Sequence, residues 1–151
     1  MALGGTIAAM DRVYTTPLLD KLGIRPGMRV AIVGTLEDDD EVVDEAGPFA
    51  DRLAARTRDV TIGGPEPESD LVLLAADSTA ELAALAQLRT RIRPAGAIWV
   101  VSRKGRAATL RDVEVIAAAR EHGLVDNKVV AFSARRTALR LVIPLALRAK
   151  A

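Results

Sequence analysis

Asp126-Asn127-Lys128 stands out because three polar residues in succession open an otherwise apolar run, Val129-Val130-Ala131-Phe132. Such a string is costly inside a sheet unless its groups are partnered. Strand alternation predicts Asp126 and Lys128 on one face and Asn127 on the other. Two readings follow: a structural ion pair at the sheet end, or a donor and an acceptor offered to a ligand. A second candidate ligand-binding group comes from residues that each follow an apolar run: Gly34 with Thr35, then Asp77, then Arg103 with Lys104. In an open α/β sheet such positions line the crevice beyond the carboxyl ends of the strands, where strand order reverses. Each also has a plainer reading, with Gly34 a turn, Asp77 an aid to a helix cap and Lys104 a solvated cation.

The chain has no cysteine, which removes disulfides, thiolate metal sites and thiol nucleophiles. His122 is the only histidine, so a Ser-His-acid triad or a His-based metal site has a single possible member. It precedes Gly123, where an imidazole meets the carboxyl end of a helix and its dipole. The run Glu37-Asp38-Asp39-Asp40-Glu41, with Asp44 and Glu45, lacks the spaced ligands of a calcium loop and reads as a solvated loop. No metal is expected. Arg135, Arg136 and Arg140, with Arg103, Lys104 and Arg106, offer two readings, a cationic surface for an anionic ligand or protein and a merely solvated surface, of which the solvated one is the more ordinary. No aromatic residues interleave them as base stacking would require, so nucleic acid is not an expected partner.

The positioning framework is one domain, since 151 residues suit a single core. Half the residues are hydrophobic, yet the aromatics are only Tyr14, Phe49, Trp99 and Phe132. The core is therefore built from Val, Leu, Ile and Ala, as suits buried strands covered by Ala-rich helices. A net charge of +1 is too small to attract nucleic acid or an anionic membrane in bulk. The start lacks the cationic and apolar segments of a secretory signal, and no apolar run has the length of a membrane span. Neither membrane association nor secretion is expected, which leaves a cytoplasmic location by default.

Residues 1–15 show no period and read as an N-terminal arm; residues 16–151 form the domain. Thr16 is placed to cap a short helix, with Pro17 at its first position, Leu18, Leu19 and Leu22 on its apolar face, and Gly23 at its end. Arg29-Val30-Ala31-Ile32-Val33 reads as a strand buried on both faces. A helix restarts at Pro48, with Phe49 and Leu53 one turn apart. Val60-Thr61-Ile62 and Leu71-Val72-Leu73-Leu74 are the second and third strands. Ser78 and Glu81 form a capping box for a helix whose Leu82, Leu85, Leu88 and Ile92 share a face. Arg93-Pro94-Ala95-Gly96 turns into a fourth strand, Ala97 to Val101. Thr109 and Asp112 cap a helix with Val113, Ile116 and Ala117 inward and Gly123 as its stop. Leu124 to Phe132 and Ala138 to Ile143 are too close in sequence for anything but an antiparallel hairpin. The expectation is an α/β fold: an open, mostly parallel Rossmann-like sheet with helices on both faces, ending in an antiparallel hairpin.

This pattern resembles the class I, S-adenosylmethionine-dependent methyltransferase fold, in which the last strand inserts antiparallel. Asp70-Leu71-Val72-Leu73-Leu74 and the stretch from Leu88 to Ile98 carry that likeness. Three stretches resemble more closely a bacterial family catalogued as a domain of unknown function, number thirty fifty-two. They are Lys21-Leu22-Gly23-Ile24-Arg25-Pro26-Gly27; Gly96-Ala97-Ile98-Trp99-Val100-Val101 with Lys104-Gly105; and Gly123-Leu124-Val125-Asp126-Asn127-Lys128-Val129 continued by Leu139-Arg140-Leu141-Val142. The hairpin turn Ser133-Ala134-Arg135-Arg136 departs from that family's pattern of an acidic residue and a tryptophan. The likeness implies the fold and leaves the activity, and whether the chain is an enzyme at all, open.

A dinucleotide or S-adenosylmethionine site ordinarily uses a glycine-rich first turn and an acid at the end of the second strand. Here Val33-Gly34-Thr35-Leu36 holds one glycine, and Ile62-Gly63-Gly64 stands where the acid belongs. The expectation is a methyltransferase-like domain without the usual cofactor loop, serving as a small-molecule or protein-binding module. The alternatives are a methyltransferase that holds its cofactor by unusual contacts around Gly34, Asp77 and Lys104, or a structural homo-oligomer paired through the second strand or the N-terminal arm.

Overall fold

A computed structural model describes residues 17–36 and 48–148. The N-terminal arm, Thr16 and the acidic run from Glu37 to Glu45 lie outside the described residues.

Six strands form one sheet in the order β2-β1-β3-β4-β6-β5. They are β1 (Arg29–Val33), β2 (Asp59–Ile62), β3 (Ser69–Ala75), β4 (Ile92–Arg103), β5 (Val125–Ala131) and β6 (Arg136–Val142). The first four run parallel, while β6 lies antiparallel between β4 and β5. β1 pairs with β2 on one side and β3 on the other, so strand order reverses between β1 and β3. Val30, Ala31 and Ile32 are buried, as an interior strand requires.

Helices cover both faces. α1 (Leu18–Lys21) and α2 (Phe49–Arg56) pack Leu19, Leu22, Phe49 and Leu53 against Val30, Leu73, Trp99 and Phe132. On the other face, α3 (Leu85–Leu88) and α4 (Asp112–Glu121) bury Leu85, Leu88, Val115 and Ala119 against Val72, Ile98, Val100 and Leu141. Each fully buried aliphatic side chain contributes about 1.5–3 kcal/mol relative to exposure. Trp99 anchors the first face, because its Nε1–H donates to the Leu22 carbonyl at 3.0 Å and ties the end of α1 to mid-sheet.

Several local expectations are corrected. Pro17 stands at the cap position of α1, with extended backbone, and not at its first helical position. The helix after Ser78 is a 3-10 turn, Glu81–Ala84, followed by the single turn of α3, and Ile92 already belongs to β4. Arg93-Pro94-Ala95-Gly96 is no separate turn. It is absorbed as a bulge in β4, whose register with β3 shifts between Ser69↔Ile92 and Leu71↔Ala97. A proline without an N–H is tolerated at such an irregularity, and a Cβ on Gly96 would stand 3.0 Å from the Asp70 carbonyl oxygen. In α4 Val115 and Ala119 are buried and Ile116 packs partly against the core, whereas Val113 is 62% exposed and Ala117 also faces outward. Arg111 is the cap residue there, and its N–H donates to Glu114 Oε1 at 3.0 Å.

Candidate functional site

The carboxyl ends of β1, β3 and β4 and the start of β6 lie at one rim, where Gly34 and Thr35 follow β1, Asp77 follows β3 and Lys104 follows β4. Gly34 has φ +89°, and a Cβ there would stand 3.0 Å from the Ala75 Cβ. Its missing side chain therefore makes room for the end of β3. The Gly63 N–H donates to the Ile32 carbonyl at 2.7 Å, so the parallel β1–β2 ladder continues one residue past β2. Thr35 is exposed beside it, while Leu36 turns back into the core.

Asp77 is engaged on every side. Its Oδ1 accepts the Arg103 N–H at 2.8 Å, its own N–H donates to Glu81 Oε1 at 2.9 Å, and its carbonyl accepts the Thr109 hydroxyl at 2.5 Å. Its Oδ2 faces the Arg136 guanidinium at 3.8 Å. Thr109 therefore ties the rim together and does not cap α4. Arg136 is only 3% exposed, which corrects its placement on a solvated surface. Nothing local in Arg135-Arg136-Thr137 signals that burial; it follows from β6 entering the sheet directly beside β4. Lys104 donates its backbone N–H to the Arg135 carbonyl at 2.9 Å, joining the end of β4 to the hairpin turn.

Asp126 and Lys128 lie elsewhere. β5 begins at the opposite rim, and a bulge between its pairs Asp126↔Leu141 and Lys128↔Arg140 breaks the alternation. Leu141 and Arg140 point to opposite faces, so Asp126 and Lys128 do as well, which removes the expected ion pair. Asn127 and Lys128 both stand opposite Arg140. With Lys21, Leu22 and Trp99 they line a cleft of about 280 Å³ beside the end of α1. Lys128 Nζ donates to the Lys21 carbonyl there at 3.1 Å. The sequence marks Arg140 only as part of a broad cationic surface and gives Trp99 no site role. The available signal was a lone arginine at a strand position flanked by Leu139 and Leu141.

At the amino rim, Asp70 accepts the Arg29 N–H at 2.8 Å and the Arg93 guanidinium at 2.9 Å, and Asp59 accepts Arg29 Nε at 3.0 Å. The hydrogen bond that Arg29 donates to Asp59 raises the pKa of Arg29, and the one that Arg93 donates to Asp70 raises the pKa of Arg93. His122 is the carboxyl cap of α4, and no group of three or more His, Asp or Glu residues that could hold a metal ion occurs among the described residues. Among them, too, no helix is long and apolar enough to cross a membrane.

The chain is similar in fold to several solved methyltransferases. The chain is 15% identical to a SAM-dependent methyltransferase from Aquifex aeolicus, covering 83% of this chain and 87% of that one with a TM-score of 0.58. A TehB-like SAM-dependent methyltransferase from Corynebacterium glutamicum is 12% identical, over 83% and 85% of the two chains, with a TM-score of 0.51. The mitomycin 7-O-methyltransferase MmcR is 13% identical over 80% of this chain, with a TM-score of 0.53, and this chain spans 49% of its length. At these identities the likeness establishes the fold, an α/β Rossmann-like methyltransferase sheet. No family model and no curated protein matches the sequence.

Proposed function

We propose that this methyltransferase-like domain is a binding module for a small molecule or a protein segment and lacks the usual S-adenosylmethionine loop. The carrying observation is that the rim groups which would meet a cofactor are engaged with the protein itself. The first turn of such a site serves to let the ligand approach the backbone closely. At Gly34 the direction a side chain would take is blocked by Ala75, 3.0 Å from where a Cβ would lie, and the exposed turn carries this one glycine alone. Asp77 is held by Arg103, Glu81 and Thr109, and the end of β2 offers Ile62-Gly63-Gly64 in place of an acid for ribose hydroxyls. These residues do not fit the cofactor in its ordinary mode. Thr35 and Lys104 are left as the groups that meet a ligand.

Calorimetric titration with S-adenosylmethionine and S-adenosylhomocysteine tests the reading, and no heat of binding is expected from either. Tight binding would overturn it in favour of the second reading, a methyltransferase with non-standard contacts at Gly34, Asp77 and Lys104, which the methyltransferase fold favours. A structural homo-oligomer is a third reading, favoured by the edge strand β2 and its 70% exposed Ile62.

We further propose membership of the bacterial domain family number thirty fifty-two, supported by the stretch around Trp99, and a cytoplasmic location, which cell fractionation tests.

A further inference from the structure

About four residues along β4 from the carboxyl rim, a distance of about 13 Å, the cleft beside α1 gathers Lys21, Lys128 and Arg140 with no carboxylate in its lining. We infer that it binds the oxyanion group of a small molecule, a phosphate or a carboxylate, held by Arg140, Lys128 and Asn127 above Trp99.

The cleft is built by two features of the backbone. The β5 bulge sets two consecutive residues, Asn127 and Lys128, opposite Arg140, so an amide, an ammonium and a guanidinium converge on one volume. The Trp99 hydrogen bond to the Leu22 carbonyl holds the end of α1 in place as the opposing wall. Lys128 Nζ rests on the Lys21 carbonyl, which pre-positions its charge at the cleft mouth.

Arg140 sits in β6 directly opposite Trp99, partly buried among apolar neighbours. Burial pushes its pKa down, and repulsion from Arg148 pushes the same way. A bound oxyanion would relieve both effects, because it supplies the opposite charge and the hydrogen-bond acceptors that a partly desolvated guanidinium needs. A guanidinium fork matches two oxygens of a carboxylate or phosphate, and Lys128 and Asn127 supply donors to the rest. Asp126, on the other face of the sheet, does not compete for these cations.

Trp99 is the only tryptophan, so its fluorescence reports on the cleft directly. The full chain titrated with inorganic phosphate and, separately, with succinate at constant ionic strength should give a saturable change with at least one of them. The one that saturates at lower concentration identifies the oxyanion. Arg140→Gln should raise the midpoint about tenfold or more, the scale of a lost charge-assisted hydrogen bond. Lys128→Gln should raise it in the same direction and serves as the reporter should Arg140→Gln unfold. Asp126→Asn should leave it unmoved. Absence of saturation with both anions, an equal response to sodium chloride, or midpoints unaltered in the folded cleft variants would overturn the inference.

Discussion

Asp77 and Arg103 are joined across the carboxyl rim, where the Asp77 Oδ1 accepts the Arg103 backbone N–H at 2.8 Å. The bond ties the chain leaving β3 to the last residue of β4, and the same carboxylate faces buried Arg136 in β6. Asp77→Ala removes the acceptor and the nearby countercharge together. A loss of about 2–4 kcal/mol is expected, read from urea unfolding at unchanged m. Asp77→Asn keeps one acceptor oxygen and should lose less.

Trp99→Phe retains most of the buried ring but leaves the Leu22 carbonyl without the indole N–H. The expected cost is about 1–3 kcal/mol, seen as a lower midpoint of thermal unfolding. Amide exchange should quicken first at Lys21 and Leu22, whose N–H groups bond to the Pro17 and Leu18 carbonyls within the turn of α1 that Trp99 secures. Uniform acceleration across the sheet would show instead that Trp99 acts through the core as a whole.

Gly34→Ala introduces a Cβ where φ is +89° and Ala75 lies 3.0 Å away. Backbone strain of about 1–2 kcal/mol is expected, with the contact adding to it. Combining it with Ala75→Gly should recover the contact part and leave the strain. The double-mutant cycle should therefore be non-additive, with the pair less destabilised than the sum of its members.

Ile62→Lys alters an exposed residue of an edge strand and should change stability by less than about 0.5 kcal/mol. If β2 pairs across subunits, light scattering will show a mass that falls on this substitution. An unchanged mass removes β2 from any assembly.

The apolar runs of β1, β3 and the middle of β4 were legible because continuous Val, Ile and Leu between glycine or proline turns has few other stable solutions. The hairpin was legible because so few residues separate its strands. The Arg93–Gly96 segment was misread for the reason that makes bulges hard to see: proline and glycine punctuate a turn and a strand irregularity alike. α4 turned Val113 outward because its rotation about its own axis is set by what lies beneath, namely Leu110, Leu124 and Leu139.

Residue order alone determined the apolar strands, the spacing that favours parallel crossovers and the glycine-poor first turn, all of which are patterns along the chain. Tertiary structure decided which polar groups meet. Asp126 and Lys128 part because one bulge breaks the two-residue period, and Arg140 meets Lys21 across more than a hundred residues because α1 is drawn down onto Trp99. Alternation along a strand is a local rule, whereas the register that places a charge on one face or the other is fixed only when strands pair.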